Sequence, residues 1–121
     1  MTVVGIDITE IDRIGSALSR WGERFKEKVF LPSEIEFCES RAFPEQHFAA
    51  RFAAKEAVAK TLKSSKEVFL HWRDVEIVSD NNGAPKVILH GEAAKLFDRS
   101  KISLSISHSG DSAVAVALLN S

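Results

Sequence analysis

Residues 44–62 read Pro44-Glu45-Gln46-His47-Phe48-Ala49-Ala50-Arg51-Phe52-Ala53-Ala54-Lys55-Glu56-Ala57-Val58-Ala59-Lys60-Thr61-Leu62. Proline suits the first turn of a helix, where its missing N–H is not needed. No glycine or second proline interrupts residues 45–62, and Phe48, Ala49, Ala50, Phe52, Ala53, Ala54, Ala57, Val58 and Ala59 spread apolar side chains over most of the helix surface. A helix that is apolar nearly all round is a buried one. The stretch therefore predicts a central helix from Pro44 to about Leu62, with the remaining elements packed around it.

Outward from that helix, the chain alternates between strand and helix signals. Residues 2–8 place Val4, Ile6 and Ile8 on one parity and Val3, Gly5 and Asp7 on the other, which predicts a strand. Thr9-Glu10-Ile11-Asp12 has the form of a capping box opening a helix with an apolar stripe at Ile11, Ile14, Leu18 and Trp21, ended or bent by Gly22. Pro32-Ser33-Glu34 starts a short helix to about Ser40, and residues 63–67 read as a polar loop. Val75–Val78 and Lys86–Leu89 read as a hairpin whose Asn82-Gly83 supplies the positive φ angles of a tight turn. A short helix over Gly91–Arg99 and two last strands, Ile102–Ile106 and Ala113–Leu119, complete the chain. The fold class expected is α+β, an antiparallel sheet packed with a long buried helix and shorter helices.

The 121 residues are 45% hydrophobic and 27% charged, which suits one folded domain over 1–121. The apolar runs are too short to span a membrane, and no basic-then-apolar leader is visible. The net charge of −1 gives no reason to expect nucleic acid as partner. Cys38 is the only cysteine, so no internal disulfide is possible and a reducing, cytoplasmic setting is expected.

Three places carry polar residues where a purely structural account is strained. Asp7 sits within an apolar strand, where a carboxylate needs a cation or donors, although it could also bond the backbone of the following helix. Glu56 and Lys60 lie four apart on a helix face otherwise small or apolar. They could hold a hard cation and a phosphate, or form an ordinary i,i+4 pair. His108 shares the parity of Ile102, Leu104 and Ile106; it could meet a nucleotide or be a satisfied core histidine. No Walker A loop, Gly-x-Gly-x-x-Gly or Gly-x-Ser-x-Gly motif occurs, so phosphate chemistry would rest on metal and side chains.

In their order, these segments resemble the small, single-domain 4′-phosphopantetheinyl transferases. Gly5-Ile6-Asp7 followed by Arg13-Ile14 matches the family's opening. Phe30-Leu31-Pro32-Ser33-Glu34 is similar to its next segment, and Arg51-Phe52-Ala53-Ala54-Lys55-Glu56-Ala57-Val58-Ala59-Lys60 matches its most specific motif. Trp72-Arg73-Asp74-Val75-Glu76-Ile77, Asn82-Gly83-Ala84-Pro85, Ser105–His108 and an Ala-rich last strand complete the series.

The resemblance implies an enzyme that moves the 4′-phosphopantetheine arm of coenzyme A to a serine of an acyl carrier protein, releasing adenosine 3′,5′-bisphosphate, with a place in fatty acid biosynthesis. It implies Mg²⁺ held by Asp7 and Glu56, catalytic roles for Asp7, Glu56 and Lys60, and coenzyme A contacts from Lys60, Arg51 and His108; Lys63, where the chain departs from the family, could also meet the coenzyme A phosphate charge. It also implies a homotrimer with active sites between subunits. Carriers in this chemistry are acidic, and Arg13, Arg20 and Arg24 could dock one, with Arg24 expected one helical turn beyond Arg20. One departure stands out: the family's glycine-rich loop after the long helix is replaced by Leu62-Lys63-Ser64-Ser65-Lys66-Glu67. Two other readings compete, an unrelated metal-dependent phosphotransferase or nucleotidase, and a non-catalytic carrier-binding or oligomerisation module.

Overall fold

A computed structural model describes residues 1–121. The central helix is α4, Pro44–Ser65, and it lies on one face of an antiparallel three-stranded sheet of order β1-β5-β4. These strands are β1 (Thr2–Glu10), β4 (Ile102–Ser109) and β5 (Ser112–Asn120). A separate hairpin pairs β2 (Val75–Ser79) with β3 (Pro85–Leu89). The shorter helices are α1 (Ile11–Trp21), α2 (Glu23–Val29), α3 (Pro32–Glu39) and α5 (Gly91–Leu96). This is the α+β class expected.

The close seating of α4 follows from small residues on both sides. Ala53, Ala54 and Ala57 on the helix and Ala113, Ala115 and Ala117 on β5 are fully buried. On β1 the backbone itself is approached. A Cβ added at Gly5 would stand 2.1 Å from the Ala57 carbonyl oxygen. Gly5 thus receives the helix backbone.

The structure decides the facing of β1. Val3, Gly5, Asp7 and Thr9 turn towards α4, while Val4, Ile6 and Ile8 point outward and are 60%, 53% and 65% exposed. Alternation reveals a strand but does not say which parity meets the core. In register with them, Val116 lies opposite Ile6 and Val114 opposite Ile8, so the outer sheet face is apolar and uncovered along two strands.

Local signals fare unevenly. The Thr9 capping box does not form: β1 continues through Glu10, the first helix has no side-chain cap, and the Thr9 hydroxyl donates to Asp7 Oδ2 at 2.7 Å. Gly22, at φ +54°, ends α1, and α2 begins at once, a helix that the apolar pattern does not reveal. α4 continues to Ser65, so part of the expected polar loop is helical. In the β2–β3 connection only Gly83 takes positive φ; the Asp80 carboxylate accepts from the N–H groups of Asn82 and Ala84 and holds a longer turn. The expected helix over Gly91–Arg99 stops at Leu96, and a 3₁₀ turn covers Arg99–Lys101.

Candidate functional site

Strand β1 and helix α4 carry Asp7, Glu56 and Lys60 to one place. The parity that sends Gly5 against the α4 backbone also turns Asp7 to that side. Lys60 leans back across β1: its Nζ lies 3.6 Å from Asp7 Oδ1 and donates to the Ile6 carbonyl at 2.6 Å. Burial first, and then the charge of Asp7, push the Glu56 carboxyl up, while Lys60 and Lys63 act in the opposite sense. Two carboxylates far apart in the chain thus feel one another, and disfavour joint ionisation without a cation.

The donor set suits a hard divalent ion. Both groups offer oxygen, and no group of three or more His, Cys, Asp or Glu side chains is placed to hold a metal ion, so the protein's own share is two carboxylates. Mg²⁺ is commonly held by one or two carboxylates, with water and substrate phosphate oxygens filling its octahedron. A full protein cage is not needed.

Glu56 and Lys63 also line a cleft of about 830 Å³ between α2, α4 and the segment 70–75. Its wall mixes apolar Leu31, Leu70 and Trp72 with polar Lys28, Arg73 and His90. Trp72 is held by stacking on Phe52, with ring centroids 5.0 Å apart.

Arg51 and His108 stand elsewhere. Arg51 is buried, with its guanidinium 4.1 Å from the centre of the Phe37 ring, and Nη2 donates to Ser79 Oγ at 3.3 Å. Its Nε has no partner. Arg41 lies over the same ring at 4.5 Å, and His47 meets it edge-on. His108 is exposed at the end of β4, paired with Ala113. Burial, and then the charges of Arg41, His108 and Arg51, lower the pKa of His47. This second cluster gathers four basic side chains and makes no salt bridge to a carboxylate. Arg41 and His47 escape a sequence reading because nothing in their local pattern marks them; Phe37, the ring that collects them, is itself an ordinary helix residue.

The arginines at the start of the chain divide between two helices. Arg13 and Arg20 are exposed on α1, where Arg20 lies over the Trp21 ring at 5.2 Å. Arg24 is exposed on α2, beyond the break at Gly22, and so does not continue the α1 face. A further pair was legible only as motif letters: Lys55 and Glu34 form a buried ion pair, Nζ to Oε1 2.9 Å.

Comparison with known proteins bears on these arrangements. Residues 3–117 match the model of the 4′-phosphopantetheinyl transferase superfamily. A holo-[acyl-carrier-protein] synthase of Syntrophus aciditrophicus is 42% identical over 118 residues, covering 95% of this chain and 92% of its own. The coenzyme A complex of the Chronobacterium ammoniagenes enzyme superimposes with a TM-score of 0.84 at 32% identity, over 99% of this chain and 97% of that one. The Helicobacter pylori holo-[acyl-carrier-protein] synthase in complex with coenzyme A gives a TM-score of 0.83 at 32% identity, over 98% and 100%.

Proposed function

The chain belongs to the 4′-phosphopantetheinyl transferase superfamily, and on that premise we propose that Asp7, Glu56 and Lys60 form its catalytic centre. The enzyme is a transferase of the holo-[acyl-carrier-protein] synthase kind, passing phosphopantetheine from coenzyme A to an acyl carrier protein. The observation that supports the site assignment is the approach of Lys60 Nζ to within 3.6 Å of Asp7 Oδ1 across the β1–α4 contact, with Glu56 one helical turn before Lys60 on α4.

In this reading Asp7 and Glu56 hold Mg²⁺, whose charge, when bound, offsets that of the coenzyme A pyrophosphate. Lys60 is half-exposed on a flexible stem, so its ammonium can leave Asp7 for a phosphate oxygen. Lys63, one helical turn beyond Lys60, adds positive charge in the cleft that Glu56 lines. The carrier serine oxygen attacks the phosphorus nearer the pantetheine. A new P–O bond forms, the bond to the second phosphate breaks, and adenosine 3′,5′-bisphosphate leaves. The serine proton passes to the Glu56 carboxylate or to a water held beside Asp7 and Glu56. Such transfer needs mostly positioning and electrostatics, which this small set of side chains supplies.

Arg51 and His108, together with Arg41 and His47, take the nucleotide end of coenzyme A as an anion seat. They act across a subunit boundary, in a homotrimer built on the uncovered sheet face of Val4, Ile6 and Ile8. An apolar face of this kind supports assembly. Arg13 and Arg20, with Arg24 on the neighbouring helix, dock the acidic carrier. Residues 1–121 act as one transferase domain. No helix is long and apolar enough to cross a membrane, and a cytoplasmic setting accords with a coenzyme A substrate.

Mixing the protein with apo carrier, coenzyme A and Mg²⁺, then weighing the intact carrier, tests the reading. The carrier should gain the mass of one phosphopantetheine, and chelation of the metal should abolish the gain. An unchanged carrier in the complete mixture overturns it.

A further inference from the structure

Lys55 and Glu34 are charged side chains 1% and 0% exposed. The Lys55 ammonium donates to Glu34 Oε1 at 2.9 Å, to Oε2 at 3.2 Å and to the Val75 carbonyl. Glu34 also accepts from the backbone N–H groups of Leu31 and Ile77, each at 2.8 Å. All three ammonium donors are used, and the carboxylate receives four bonds. Two charges from α3 and α4 are thereby locked to each other and to β2.

Stability alone does not call for such a pair, since well-packed apolar replacements of buried ion pairs are often neutral or stabilising. What the pair adds is direction. Around it, α4 meets the sheet through small residues such as Ala53 and Ala57 against Gly5, Ala115 and Ala117. Apolar contact is non-directional: it resists separation but weakly resists turning of a smooth helix about its axis. Lys55 supplies the missing catch, and the next residue is Glu56. With side chains reaching about 5–6 Å from the helix axis, a turn of roughly 20° would carry the Glu56 carboxylate about 2 Å. Misplacement by about 1 Å can slow an enzyme on the order of 100-fold.

We propose that Glu34 and Lys55 are positioning residues, a buried catch that sets the rotation of α4 and so holds Glu56 against Asp7. The proposal rests on the reading of Asp7 and Glu56 as the transfer site. The test is the double variant Glu34→Gln/Lys55→Met, which nearly conserves volume and keeps a carbonyl acceptor. It should unfold cooperatively from a native circular dichroism spectrum and bind coenzyme A, by calorimetry without metal, within about threefold of the unaltered protein. Its kcat should fall about 30- to 100-fold. Its affinity for Mn²⁺ alone, by electron paramagnetic resonance without coenzyme A or carrier, should weaken about tenfold. A folded double variant with native kcat and native Mn²⁺ affinity overturns the proposal, leaving the pair a packing feature. Where the double variant does not fold, Lys55→Arg, which keeps the charge but moves it, is judged by the same split between kcat and coenzyme A affinity. Failure of the transfer reading looks different: the unaltered protein would leave the carrier unmodified.

Discussion

Asp7 carries a charge that its neighbour Glu56 registers, and the sign of that coupling makes a pH experiment. In metal-free protein Glu56 is raised, by burial first and by Asp7 second. A carboxyl raised in the folded state contributes stability below its unfolded pKa, and loses that contribution as pH rises through the folded value. Metal-free protein should therefore lose stability across the interval in which Glu56 ionises. Asp7→Asn should flatten that slope without removing it, because burial remains. Denaturation midpoints at successive pH values check this, and an unchanged slope would mean the carboxylates are uncoupled. The same variant should lower kcat on the order of 100-fold or more, by loss of one metal ligand. At this scale the sequence marks Asp7, Glu56 and Lys60 as out of place among apolar neighbours. It does not mark the Glu34–Lys55 pair, because two charges distant in the chain look like surface residues until folding buries both.

At the scale of elements, the contact between β1 and α4 decides the site. Gly5→Ala would place its Cβ 3.1 Å from Thr61 Cγ2 and 2.1 Å from the Ala57 carbonyl oxygen, a backbone atom that cannot withdraw without moving the helix. A loss of about 2–4 kcal/mol in urea unfolding is expected, as for other overpacked contacts, with a fall in turnover because Asp7 lies two residues on. Gly15→Ala is the contrast. On α1 its Cβ would meet only Glu45 Cγ at an ordinary 3.5 Å, and a gain of about 0.5–1 kcal/mol is expected from helix propensity. Equal losses at both positions would contradict this account. Element types were legible where periodicity was long, as in α4. The facing of β1 was not, because its apolar parity serves an outer surface rather than the core.

For the whole molecule, the uncovered sheet face and the unpaired basic cluster point the same way. On the proposed trimer, Ile6→Glu, on the outer face, should reduce the sedimentation mass from an oligomer to a monomer and abolish turnover, since the proposed nucleotide seat would be lost with the neighbour. Co-refolding Glu56→Gln protomers with His108→Ala protomers should recover about a quarter of native activity, the share of boundaries at which both residues are intact by random assembly. No recovery in mixed oligomers would place both residues in one subunit's site. The sequence alone determined the family, the α+β class and the central helix, because these rest on local periodicity and ordered motifs. Tertiary structure alone decided which parity of β1 faces α4, which basic side chains gather on Phe37, and that Lys55 is buried beside Glu34. Local patterns encode how a segment folds, whereas facing and burial depend on which distant segments come to cover it.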